Sequence, residues 1–340
     1  MKGFSKLAAV LVIGACVALS HTCPSVAGET TLATVKQRGQ LLCGVFGVVP
    51  GFSLPDSKGV MKGIDADSCR AVAAAVFGDP DKVKYVMLTA QQRLPALQSG
   101  EVDIVFANLT WTFGREVPTG LAFPYIYYYD GQTFLVKTST RVKTVKELDG
   151  ASICLTQGST HEANVQEYFG RSGMKYTPVV FADVSEARKA FLAGRCDAMA
   201  GDGTSLAGFK TSLGAAAADY LILPEMISSE PLAAAVRKGD GQWLDVVQWI
   251  HFAMVNAEAM GIDSKNLGSF AKSTDANVRR LLGAEGGLGE MLGLRNDWVV
   301  SIIKGVGNFG EMWDRNIVGV DRGLNRLWTQ GGLQYAPPFR

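Results

Sequence analysis

The sequence predicts an α/β protein built as two similar lobes. Three observations carry this. Strand-length apolar runs alternate with helix-period segments from residue 39, the alternation runs twice, and the two series share a stretch of like residues in like order. Ala96-Leu97-Gln98-Ser99-Gly100-Glu101-Val102-Asp103 is matched in kind by Ala190-Phe191-Leu192-Ala193-Gly194-Arg195-Cys196-Asp197. Gly100 and Gly194 stand where a helix end calls for a left-handed residue. Asp103 and Asp197 each open an apolar run, and those runs close at Asn108 and Asp202, in register. Such βαβ alternation argues a largely parallel sheet. Open sheets of this class bind ligands beyond the carboxyl ends of their strands, so function is sought in the polar residues after 106 and 200.

Each element has its own reason. In the first series, residues 41–45, 83–88 and 102–106 are short apolar runs, read as strands. Residues 65–77 place Val72, Ala75 and Val76 on one helical side, and 91–98 form a helix closed by Gly100, with Pro95 its one awkward member. In the second series, strands fall at 152–155, 177–181 and 196–200, and helices at 185–193 and from Ser159 to about 171. Ser159 and Glu162 have the spacing of a capping box. Residues 232–236 form one more strand. From Gln242 the chain is mainly helical, with Trp243, Val246, Val247 and Ile250 on one face, a glycine-interrupted break at 283–293 and a proline-containing tail.

Composition limits the function classes. The chain has 340 residues, 33 Lys+Arg against 32 Asp+Glu, and a formal charge of +1. That balance gives no global attraction to nucleic acid or an anionic membrane surface. Only three histidines are present, which argues against His-based metal sites and His-dependent triads. Lys2 and Lys6 precede an apolar run over 7–19, and Ser25-Val26-Ala27 offers small residues for cleavage. This is the pattern of a secretory signal peptide over 1–27. Ile13-Gly14-Ala15-Cys16 also resembles a lipoprotein box, ranked second because the apolar run continues past Cys16. No other stretch is long and apolar enough to suggest a transmembrane helix. Export leaves Cys43, Cys69, Cys154 and Cys196, an even number in an oxidising compartment. Three pairings are open. Cys43–Cys69 with Cys154–Cys196 is favoured, because each pair then stays inside one lobe.

Gly305-Val306-Gly307-Asn308-Phe309-Gly310 is literally G-x-G-x-x-G, but too little chain follows it to build the βαβ unit and acidic residue of a dinucleotide site. The informative segment is Asn108-Leu109-Thr110-Trp111-Thr112-Phe113-Gly114-Arg115, a strand-end loop rich in hydrogen-bonding groups. Arg115 suits a carboxylate through its planar fork. Gln157-Gly158-Ser159-Thr160 is the matching loop of the second lobe. Asp202 is either a partner for an ammonium group or the N-cap of a helix over 203–209. Phe52 and Trp111 are candidate walls of an apolar pocket.

At these residues the chain resembles the amino-acid-binding periplasmic proteins of ABC uptake systems (family 3 solute-binding proteins), and more closely their general L-amino-acid-binding subgroup. The resemblance runs from about residue 41 to 340. It rests on Pro50-Gly51-Phe52-Ser53, Asp67-Ser68-Cys69-Arg70-Ala71, Leu97-Gln98-Ser99-Gly100, Thr110-Trp111-Thr112, Glu230-Pro231-Leu232, the segment from Gly305 to Glu311, and Tyr335-Ala336-Pro337-Pro338. Gly114, His161 and Ser229 depart from the family pattern.

The resemblance implies a type II, Venus-flytrap clamp with a helical C-terminal extension. Residues 28–135 and 225–250 would form lobe 1, 136–224 lobe 2, and 251–340 an extension packed on the lobes. It implies that Arg115 binds the α-carboxylate of an L-amino acid, aided by Thr110 and the Asn108 backbone, that Ser159 and Thr160 add second-lobe contacts, that Asp202 takes the α-ammonium, and that Phe52 packs on the side chain. A zwitterion needs one cationic and one anionic anchor, and placing them on different lobes lets binding drive closure. A membrane permease would be the partner, with no cofactor and a monomeric, periplasmic protein. The alternatives are a dehydratase of cyclohexadienyl or arogenate type on the same fold, with Glu162 or Glu116 as its acid, and a sensory module.

Overall fold

The computed structural model describes residues 30–340; the expected signal peptide and the Cys16 box lie outside them. Helix α1 (Thr31–Arg38) leads into β1 (Leu41–Val45), a short ribbon of β2 (Leu54–Pro55) and β3 (Met61–Lys62), then α2 (Ile64–Phe77), β4 (Val83–Met87), α3 (Arg93–Ser99) and β5 (Ile104–Val105). The strands form a parallel sheet in the order β4-β1-β5. Pro95 sits in the first turn of α3, where the missing N–H would be unpaired anyway. A one-turn helix α4 (Phe113–Glu116), β6 (Leu121–Ala122) and β7 (Ile126–Asp130) complete the outgoing half of the lobe.

The chain crosses to the second lobe at Gly131, before the expected boundary at 135. Strand β8 (Gln132–Lys137) pairs with strands of the second sheet, which brings residues 132–135 into lobe 2. There follow β9 (Ser152–Thr156), α5 (His161–Arg171), β10 (Thr177–Phe181), α6 (Val184–Leu192), β11 (Ala198–Asp202), α7 (Gly203–Ser212) and β12 (Tyr220–Ile222), giving a sheet ordered β10-β9-β11-β8-β12. The return crossing leads to β13 (Glu230–Ala233), antiparallel to β7, and β14 (Val236–Arg237), antiparallel to β6.

The sequence echo is a structural one. Gly100 and Gly194 are left-handed, at φ 81° and 76°. Asp103 accepts the Leu42 N–H at 2.8 Å, and Asp197 accepts the Ser152 N–H at 2.8 Å. Each aspartate thus ties the start of one strand to the start of a sheet neighbour, β5 to β1 and β11 to β9. Disulfides Cys43–Cys69 and Cys154–Cys196 each staple one lobe internally, in the favoured pairing.

Helix α8 (Gly241–Ala259) runs unbroken through residue 250, so the expected domain boundary there falls inside one element. Its Trp243, Val246, Val247 and Ile250 are buried as the periodicity requires. Two short helices, α9 (Ala276–Leu281) and α10 (Leu288–Met291), lead to α11 (Trp298–Gly305) and α12 (Phe309–Asn316), which share one core with α2 and α8. The extension therefore belongs to lobe 1: Arg315 pairs with Asp67 at 2.8 Å, and Trp313 stacks on Tyr128 at 4.9 Å. The G-x-G-x-x-G run is a helix junction, where Asn308 and Glu311 form the capping box of α12.

Candidate functional site

The two sheets face each other across a cleft, and the loops at the carboxyl ends of β5, β9 and β11 meet there. A small cavity of about 40 Å³ lies between them, lined from lobe 1 by Phe46, Val49, Ala90, Arg93, Asn108 and Thr110, and from lobe 2 by Thr156, Ser159, Thr160, His161, Val184, Asp202 and Ser205.

Asn108 organises the lobe 1 side. Its backbone is left-handed, at φ 48°, a conformation that asparagine tolerates better than most residues. The inverted turn is held from both ends. Asp65 accepts the Asn108 N–H at 3.2 Å, and Arg93 donates Nη1 to the carbonyls of Ala107 at 2.6 Å and Asn108 at 3.1 Å. The Asn108 backbone was expected to serve the ligand; it is instead engaged inside its own lobe, and the side chain faces the cleft. Nδ2 donates to Asp202 Oδ2 across the cleft, while Oδ1 is buried with no partner. Burial pushes the Asp65 carboxyl up to about 7 and the Arg93 guanidinium well below its usual value.

Asp202 ends β11, and its carboxylate does not cap α7. Its Oδ1 lies 3.1 Å from His161 Nε2, and the other imidazole nitrogen, Nδ1, is buried without a partner. Asp130, at the crossing, is pushed up to about 7 by burial and by the neighbouring Asp202 charge. A further carboxylate, Glu230, knits the lobes together. It accepts from Thr110 at 2.5 Å, Thr160 at 2.9 Å, Asn164 at 2.6 Å and Ser228 at 2.6 Å.

Arg115 stands at the edge of this cavity rather than on its lining. Its Nη1 donates to the Thr110 carbonyl at 2.9 Å and its Nη2 to the Gly158 carbonyl at 3.1 Å, so it bridges both lobes. A guanidinium has five N–H donors, and these bonds leave the others available. Burial lowers its proton affinity, with Glu230 and Asp202 opposing that.

Thr110, Ser159 and Thr160 line the cavity as expected, but the Ser159–Glu162 capping box does not form. Helix α5 starts at His161, and Ser159 Oγ instead donates to the Thr156 carbonyl at 2.6 Å and accepts the His161 N–H. Phe52 is displaced altogether. It is fully buried in the lobe 1 core, tilted against Tyr128 at 5.2 Å, and Phe46 takes the cavity wall. Trp111 also lies off the lining, stacked on Phe123 at 5.7 Å with its indole N–H on Glu116. The sequence reading missed Arg93, Asp65 and Phe46. Arg93 had one available signal: it opens the helix after β4, at the carboxyl end of the sheet.

Residues 41–266 match the bacterial extracellular solute-binding proteins, family 3. The chain belongs to that family. It is 49% identical to the glutamate/glutamine/aspartate/asparagine-binding protein of Rhodobacter capsulatus over 95% of this chain and 97% of that one. It is 45% identical to the general L-amino acid-binding periplasmic protein of Rhizobium johnstonii over 98% and 97%. Among solved structures, an ABC transporter periplasmic binding protein from Brucella ovis with glutathione bound superposes with a TM-score of 0.89, at 48% identity, over 92% of this chain and all of that one. The family assignment makes the interlobe cleft the place where a solute is held. No helix among the described residues is long and apolar enough to cross a membrane.

Proposed function

We propose that this protein captures an L-α-amino acid between its lobes in the periplasm and delivers it, as a monomer, to the membrane permease of an ABC transporter. One observation carries the proposal. Cationic groups, Arg115 and Arg93, stand on lobe 1 and an anionic group, Asp202, on lobe 2, with unpartnered Asn108 Oδ1 and His161 Nδ1 buried at the same cavity. Buried charges and polar atoms are costly unless paired, and an α-amino acid presents both complementary charges on one carbon. Arg115 takes the carboxylate and Asp202 takes the ammonium, while the hydroxyl protons of Thr110, Ser159 and Thr160 are already given to Glu230 and the Thr156 carbonyl. The names of the two close relatives support a broad set of amino acids.

The cleft serves binding rather than turnover. A dehydratase needs an acid placed against the reacting group. Glu116 is held by the Trp111 indole at 2.6 Å, Glu162 lies in the first turn of α5, and neither lines the cavity. The test is a thermal-shift screen of unfolded and refolded protein against L-amino acids and their decarboxylated amines. A rise with the amino acids but not the amines is expected. No rise with any amino acid overturns the proposal.

A further inference from the structure

The ligand cavity has a neighbour. Phe46, Ala90 and Val184 line both it and a second cavity of about 230 Å³ that opens toward solvent between the lobes. The three shared residues place the two spaces side by side between the lobes.

The chambers differ in chemistry. The inner one holds the charged and hydrogen-bonding groups. The outer one is walled mainly by apolar side chains, Val48, Met87 and Leu88 joining the three shared residues. Asp183 is the one ionisable residue on its lining, and its Oδ1 is already bonded to the N–H groups of Ser185 and Glu186, at 2.7 and 2.9 Å. The wall is fixed. Arg188 of α6 reaches across to donate Nη1 to the Val48 carbonyl at 2.7 Å, and its guanidinium lies 4.8 Å from the Phe209 ring centre. Gly47, between Phe46 and Val48, is left-handed, and a Cβ there would meet Met87 Sδ at 2.6 Å.

We propose that the outer chamber is a second ligand subsite, receiving the distal part of an amino acid whose side chain is prolonged by an uncharged, partly apolar group. The proposal rests on the amino-acid function above: the inner chamber holds the α-carbon groups, and the side chain runs past Phe46, Ala90 and Val184, the residues that line both spaces. An apolar wall rewards an apolar extension by desolvation, while a lining without a cation leaves an anionic end unpaired.

The experiment is calorimetric titration of the refolded protein with L-alanine, L-glutamine, L-glutamine γ-ethylamide, L-glutamate γ-anilide and the γ-anilide carrying a para carboxylate. The anilide is expected to bind at least as tightly as glutamine, and its carboxylated analogue at least tenfold more weakly than the anilide. Met87→Asp, at a residue that lines only the outer chamber, is expected to weaken the anilide at least tenfold while leaving alanine within threefold. Rejection of the anilide by the wild type, with glutamine still bound, overturns the second subsite and leaves the amino-acid function standing. So does an anilide affinity unmoved by Met87→Asp, or equal binding of the two anilides. Binding of no amino acid overturns both. The two anilides are compared on the wild type, so the test stands even where the variant does not fold.

Discussion

Asn108 and Asp202 touch across the cleft, the Nδ2 of one donating to the Oδ2 of the other. They close the echoed runs of the two lobes, Asp202 as the last residue of β11 and Asn108 in the loop that follows β5, so corresponding positions of the repeat meet at the ligand cavity. Each is held by its own lobe: Asn108 by Asp65 and Arg93, Asp202 by β11 and His161. Rotation of one lobe against the other separates this pair before it disturbs either lobe's core. The pair therefore belongs to closure rather than to folding.

Asp202→Ala removes the only carboxylate among the residues lining the inner chamber. It is expected to weaken amino-acid binding by about 2–5 kcal/mol, as when one side of a buried charge pair is lost. Calorimetric titration checks it, and unchanged affinity refutes the ammonium assignment.

Arg115 and Arg93 are expected to separate into two roles. Arg115→Ala loses bonds to two carbonyls at the cleft edge, so binding falls by about 2–5 kcal/mol with little change in melting temperature. Arg93→Ala releases the inverted turn at Asn108 and leaves Asp65 without its nearby cation. It is expected to lower folding stability by about 3–5 kcal/mol. Urea unfolding beside titration distinguishes them, and equal effects of the two substitutions on both quantities contradict the division.

The sequence carried the fold through periodicity and the echo, because helix–glycine–strand junctions have local chemistry. It carried Thr110, Ser159, Thr160 and Asp202 through their place at strand ends. Phe52 was misread because an aromatic after Pro-Gly has the same sequence signature on either side of its strand-end turn, and here Ile64 and Asp65 bond back to Gly51 and Phe52 and draw the loop inward. The roles of Arg93, Asp65 and Glu230 were missed for another reason. Their importance lies in partners 14, 43 and 120 residues away, and no local pattern encodes such pairings.

Glu230 accepts from four donors that come from both lobes and the return crossing. Glu230→Gln replaces an acceptor oxygen with a donor facing donors. Loss of these bonds is expected to cost on the order of 2–3 kcal/mol and to favour the open form. Small-angle scattering of the ligand-free variant should give a larger radius of gyration than the wild type. An unchanged radius with unchanged stability argues against Glu230 as an interlobe tie.

Asp65 sets a pH dependence of known sign. Its carboxyl titrates at about 7 in the fold against an ordinary 3.8, because burial disfavours the charged form. A raised native value means that the folded state binds the extra proton. The Asp65 contribution is thus complete below about pH 4 and is lost as pH rises through 7. His251 works in the opposite direction. Buried against Tyr125, it is lowered to about 3 from 6.5, so its contribution is present above pH 6.5 and is lost on acidification. The two slopes oppose each other between about pH 4 and 6.5, and a wild-type curve alone does not resolve them. Asp65→Asn does, since asparagine keeps one acceptor oxygen, for the Asn108 N–H or the Tyr127 hydroxyl, and does not titrate. Relative to wild type, this variant is expected to gain about 1.4 kcal/mol per pH unit between pH 4 and 7. Urea unfolding at a series of pH values measures the difference, and a flat difference curve places the Asp65 proton at its ordinary affinity.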